Sequence, residues 1–200
     1  MGKWHVGGLV AVLLVITGVA FMSTRPPQDD GAESTIAFEE ASVRMRIDIS
    51  ERKLYVEENG SVIESYNVAV GTAKHPTPRG SYSVQHMIWN PRWVPPDSDW
   101  AKDEKVREPG DPKNPMGRVK IFFKEPTYYI HGTNAESSIG TAASHGCVRM
   151  LNQDVIDLAR LLIDTTGAPV EPGLIQRLIN RVRQTHEVRL HDPVPLRVEA

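Results

Sequence analysis

The 200-residue sequence holds one cysteine, Cys147, within Ser144-His145-Gly146-Cys147-Val148-Arg149-Met150, and a histidine, His131, sixteen positions upstream in Ile130-His131-Gly132-Thr133. A free thiol is a weak nucleophile at neutral pH, and an imidazole that takes its proton makes it a strong one. Two histidines qualify: His145 stands two positions before the cysteine, whereas His131 would have to be delivered by the fold. Spacing alone does not choose between them. Gly146 allows a substrate close to the backbone, and successive amides around Gly146 and Cys147 could stabilise the oxyanion of an acyl-transfer intermediate.

Two blander roles compete with nucleophilic catalysis. His131, His145 and Cys147 could be zinc ligands, but they match no known zinc spacing and no fourth ligand is evident, so no metal is expected. A structural cysteine beside a core histidine is the other alternative. Against it, His, Gly, Cys and Arg at this density are poor core material.

The elements that must carry these residues are mostly strands. Met45, Ile47 and Ile49 alternate with charged residues from Val43 onward, which predicts a half-buried strand. Lys53 to Glu57 and Val62 to Val70 flank Asn59-Gly60, the signature of a tight hairpin. Further strands are expected over Gly80 to His86, Val119 to Phe123 and Tyr128 to His131, the last ending on the histidine. Residues 89 to 118 are rich in Pro, Asp and Lys without a period, and they carry Trp89, Trp93 and Trp100, which a purely solvated loop seldom does; a lid or cleft rim is the functional reading. Asn152 to Ile163 has the helical period with Asn152 as its cap, and Leu174 to Arg183 a second apolar stripe opposite Arg177, Arg181 and Arg183, a solvated face. The tail from Glu187 to Val198 alternates weakly around Pro193 and Pro195 and reads as an edge strand. The fold class expected is mainly β with one or two helices, α+β.

The N-terminus differs from the rest. After Lys3 an apolar stretch runs from Val6 to Met22, 17 residues, followed by a polar, proline-bearing linker. As a helix it would span about 26 Å, just under a hydrocarbon core of roughly 30 Å, so both a cleaved export signal and an uncleaved membrane anchor fit. A net charge of −2, with no run of Lys and Arg, excludes the positive field that nucleic acid binding requires.

Ser-His-Gly-Cys-Val-Arg with an upstream His-Gly-Thr resembles the signature of the L,D-transpeptidase catalytic domain, also called the YkuD domain. Gly71-Thr72 to Pro76-Thr77-Pro78-Arg79-Gly80 also resembles the family's Thr-Pro-x-Gly stretch. The resemblance implies a β-sandwich-like catalytic fold with a helix after the cysteine motif. It implies Cys147 as nucleophile, His131 as base, and Gly132 as the carbonyl that orients the base. Ser144, His145 and Gly146 would form the oxyanion approach, and Arg149 would belong to the substrate pocket. The long 89–118 excursion exceeds the minimal domain.

The expected organisation is 1–22 export signal or anchor, 23–42 flexible linker, 43–170 catalytic domain and 171–200 C-terminal helix and edge-strand extension. The implied reaction is cysteine acyl transfer from a peptidoglycan stem tetrapeptide, releasing D-alanine, to an amine acceptor. The alternatives are a carboxypeptidase or hydrolase using the same thioester and a catalytically dead wall-binding module. No cofactor is needed for such acyl transfer. The expected location is the periplasm or cell envelope, with the N-terminal segment as a potential link to the inner membrane.

Overall fold

The computed structural model describes residues 1–2 and 41–200. The apolar segment from Val6 to Met22 and the 23–40 part of the linker lie outside the described residues, and among those described no helix is long and apolar enough to cross a membrane.

Alternation produces β1, Val43–Asp48, with Val43, Met45 and Ile47 buried, and it pairs antiparallel with β2, Lys53–Glu58. The turn to β3, Ser61–Asn67, is Asn59-Gly60 with φ of 49° and 81°, the doubly positive geometry a two-residue hairpin needs. There follow β4, Val70–Gly71; β5, Gly80–Trp89; β6, Val119–Lys124; β7, Tyr128–His131; β8, Ala142–Ser144; and β9, Val148–Arg149. Helices α1, Asn152–Thr166, and α2, Leu174–Asn180, precede β10, His186–Glu199. One eight-stranded sheet has the order β3-β2-β1-β10-β5-β6-β7-β9, and β4 and β8 form a second, two-stranded sheet. The mainly β class with two helices is what the sequence predicts.

Three expectations need correction. The C-terminal strand is not an edge: β10 lies between β1, to which it is parallel, and β5, to which it is antiparallel. Pro193 is accommodated because the register with β5 shifts between Arg189 and Val194, which takes it out of the ladder, whereas Pro195 stays opposite Ser83 and precedes Leu196, where pairing with β1 begins. The side chain of Asn152 does not cap α1, where Leu151 holds the cap position. The second helix stops at Asn180 because Arg118 Nη2 donates to the Leu178 and Ile179 carbonyls, at 3.2 and 2.9 Å, and so satisfies the helix end.

Helix α1 buries Val155, Ile156, Leu158, Ala159, Leu162 and Ile163 and ends at Gly167 in the left-handed region, φ 64°. Arg177, Arg181 and Arg183 are exposed, as a solvated face requires. Between β5 and β6 the excursion holds no helix or strand, but it folds back on itself where Trp93 and Arg107 exchange backbone hydrogen bonds of 2.9 Å in both directions. Asn114 Nδ2 ties it to the Pro91 carbonyl at 2.8 Å, and Arg118 Nε to Asn90 Oδ1 at 2.9 Å.

Candidate active site

Parallel pairing of β7 with β9 sets Ile130 against Val148 and His131 against Arg149. Ile130 and Val148 are fully buried on the core face. Because strand side chains alternate, Tyr129, His131, Cys147 and Arg149 share the opposite face. All four line one cleft of about 600 Å³. The sixteen positions between His131 and Cys147 are thus closed by strand pairing.

The rest of the motif closes the cleft around them. Ser144 is buried: its Oγ donates to the Cys147 carbonyl at 2.5 Å and accepts from the Gly146 amide at 3.0 Å. The Gly146 amide, expected to be open for an oxyanion, is therefore engaged by Ser144 in this state. Gly146 itself has φ 107°, and a Cβ there would stand 2.6 Å from a Tyr128 ring carbon, so only glycine fits. The Thr-Pro stretch buttresses the motif: Thr77 Oγ1 accepts from the Gly71 amide at 2.8 Å, and the Thr72 amide donates to the Ser144 carbonyl at 3.1 Å.

His145 lines the same cleft, at its rim. It is exposed, and its ring stacks on Trp100 at 4.2 Å with an interplanar angle of 9°, with His75 at 4.9 Å on the same ring. The 89–118 excursion is accordingly a wall of the cleft, contributing Trp93, Trp100, Glu104, Lys113, Pro115 and Met116 to its lining.

The His131 ring is almost wholly buried, and Nδ1 lies 2.5 Å from the Gly132 carbonyl. A carbonyl only accepts, so Nδ1 carries the ring hydrogen and Nε2 the lone pair. Burial pushes its pKa down to about 3, and Arg149 and Lys120 push the same way against the Gly132 and Pro115 carbonyls. Burial also raises the Cys147 thiol, opposed by the Tyr129 amide and hydroxyl, which favour the charged sulfur, and by Lys120 and Arg149. The sulfur sits 3.5 Å from the Thr127 carbonyl, an acceptor for a protonated thiol. At neutral pH the resting pair is a thiol and a neutral imidazole. Among the described residues no cluster of three or more His, Cys, Asp or Glu could hold a metal ion.

Residues 42–171 match the family profile of the L,D-transpeptidase catalytic domain. The chain belongs to this family. It is similar to YkuD of Bacillus licheniformis, named as an L,D-transpeptidase, with 31% identity over 129 residues, 64% of this chain and 66% of the relative. It is also similar to ErfK/SrfK of Escherichia coli, likewise named, with 32% identity over 159 residues, 74% of this chain and 50% of the relative. The chain spans 38% to 66% of the length of the first curated relatives it matches. A solved structure of the Ldtfm–avibactam carbamoyl enzyme superposes with a TM-score of 0.51 at 15% identity, covering 79% of this chain and 49% of that one, a likeness of fold alone.

Three residues packed at or behind the cleft are not assigned to it by sequence reasoning. Tyr129 was legible, standing two positions before His131 on one strand and hence on its face. Lys120 reaches the site through the β6–β7 register, where it opposes His131. Asn152, read as a helix cap, instead bridges two loops: Oδ1 accepts from the Arg118 amide at 3.0 Å and Nδ2 donates to the Thr133 carbonyl at 2.9 Å.

Proposed function

We propose that this chain is an L,D-transpeptidase acting on peptidoglycan stem peptides, with Cys147 as nucleophile and His131 as general base. The observation that carries the proposal is that His131, at the end of β7, and Cys147, immediately before its partner strand β9, line one cleft. The Cys147 proton passes to the lone pair of His131, and the sulfur attacks the carbonyl that joins the L-centre of the diamino acid to D-alanine. The imidazolium that forms is held by the Gly132 and Pro115 carbonyls. It returns the proton to the D-alanine nitrogen as the carbon–nitrogen bond breaks, leaving a thioester and free D-alanine. An acceptor amine then attacks the thioester, losing a proton to His131 as a new amide forms, and the proton returns to sulfur.

The amides of Gly146 and Cys147 are the oxyanion donors in this reading, the Gly146 amide exchanging Ser144 Oγ for the developing charge. Arg149, on the cleft wall, offers a guanidinium to a substrate carboxylate. Location in the cell envelope, delivered by the Val6 to Met22 segment, belongs to the same proposal, as do the domain limits 43–170 and 171–200.

Incubation with disaccharide tetrapeptide, with products separated by mass, tests this reading. Cross-linked dimer together with free D-alanine supports it. D-alanine release without any dimer makes the chain a carboxypeptidase, and no turnover of either kind refutes the enzymatic reading.

A further inference from the structure

Lys120 lies on β6 with its Cα opposite that of His131, on the cleft face of the sheet. Its ammonium sits 3.8 Å from the centroid of the Tyr129 ring and 4.6 Å from that of Phe122, a geometry in which the negative ring faces hold a cation. It is half-buried and makes no ion pair among the described residues. Holding an ammonium partly out of water without a carboxylate is costly, and the two ring faces offset part of that cost. The carboxylate that acts on it is Glu125, whose side chain is mostly exposed and pairs with His86 Nε2 at 3.3 Å.

Among the charges around Lys120, the sulfur stands first. Cys147 leads the charges that favour the protonated ammonium, ahead of Glu125, while Lys120 leads those that favour the thiolate, ahead of Arg149. The groups acting on the sulfur are Lys120 from β6, Tyr129 from β7 and Arg149 of β9, while His131, His145, Glu104 and Lys113 line the same cleft. Tyr129 links the two, since one residue receives the ammonium on its ring and meets the sulfur through its amide and hydroxyl.

We propose that Lys120 is a positioning residue for Cys147: its ammonium, clamped on the Tyr129 ring opposite His131, sets a positive potential on the cleft face where the sulfur lies. This rests on Cys147 as the reacting group. Turnover is a poor reporter, because Lys120 also opposes protonation of His131 and the two effects pull in opposite directions. Alkylation reads the sulfur alone, and Cys147 is the chain's sole cysteine.

The test is the rate of iodoacetamide alkylation against pH, followed by intact mass, for the wild type, Lys120→Met and Lys120→Arg. Methionine keeps the length and apolar stem while removing the charge; arginine keeps the charge. Lys120→Met should shift the thiol titration upward by about one pH unit, making alkylation about tenfold slower at a fixed pH below it. Lys120→Arg should restore the wild-type profile. Superimposable wild-type and Lys120→Met profiles would overturn the proposal, and so would a Lys120→Arg profile that follows Lys120→Met, since packing and not charge would then be the cause. These outcomes do not depend on whether a stem peptide is turned over, so failure here is distinguishable from failure of the transpeptidase reading.

Discussion

The side-chain amide of Asn152 donates to the Thr133 carbonyl at 2.9 Å, tying the first turn of α1 to the end of β7 two residues beyond His131. Its Oδ1 accepts from the Arg118 amide at 3.0 Å, and a Cβ on either Gly117 or Gly132 would collide with that oxygen. One amide therefore fixes the backbone whose Gly132 carbonyl orients the imidazole.

Asn152→Ala should leave two backbone groups without their partner, costing about 1–3 kcal/mol. Thermal unfolding should drop by several degrees. Asn152→Asp keeps the acceptor and loses the donor, so its acylation rate should fall more than its melting temperature. An unchanged acylation rate in both variants would show that this tie does not position His131.

The Trp100–His145 stack predicts a different kind of defect. Trp100→Ala removes a wall of the cleft without touching Cys147 or His131, and aromatic pairs of this kind are worth about 0.5–1.5 kcal/mol. Steady-state kinetics should show KM raised several-fold with kcat little changed. A fall in kcat at constant KM would assign Trp100 to the chemical step instead.

The buried imidazole makes stability depend on acid. His131 has a folded pKa of about 3 against 6.5 when unfolded, so between these values the unfolded chain binds the extra proton. Its contribution is fully present above pH 6.5 and is lost as pH falls toward 3. Urea unfolding at pH 7 and pH 4.5 should show a loss that is smaller in His131→Gln, in which glutamine cannot titrate. An equal loss in both proteins would contradict the buried neutral ring.

The two histidines of the motif should separate cleanly. His131→Ala should lower acylation by a carbapenem, the thiol-trapping ligand implied by the family, by about 10²–10⁴-fold. His145→Ala should cost far less, because its ring is exposed and engaged with Trp100 and His75. The reverse order, read from the rate of adduct formation, would exchange their roles.

Much of this architecture is legible in local pattern. The Asn59-Gly60 hairpin, the alternation of β1 and the limits of β7 follow from period and turn chemistry, which act over a few residues. The position of β10 does not: Pro193 and Pro195 signal an edge, whereas the register shift against β5 frees Pro193 and pairing with β1 begins only after Pro195. Lys120 and Asn152 are hidden for the same reason, since their partners lie in other elements and depend on register and loop packing. The density of His, Gly, Cys and Arg around Cys147 marks candidates, but a shared cleft is a tertiary fact that spacing alone does not contain.

The central claim is tested most directly by the intact mass of the protein sampled during incubation with a stem tetrapeptide. The wild type should gain the mass of the donor less D-alanine on Cys147, His131→Ala should accumulate it far more slowly, and Cys147→Ala should never show it. An adduct that persists in Cys147→Ala, or none in the folded wild type while substrate is consumed, would contradict a thioester at this residue.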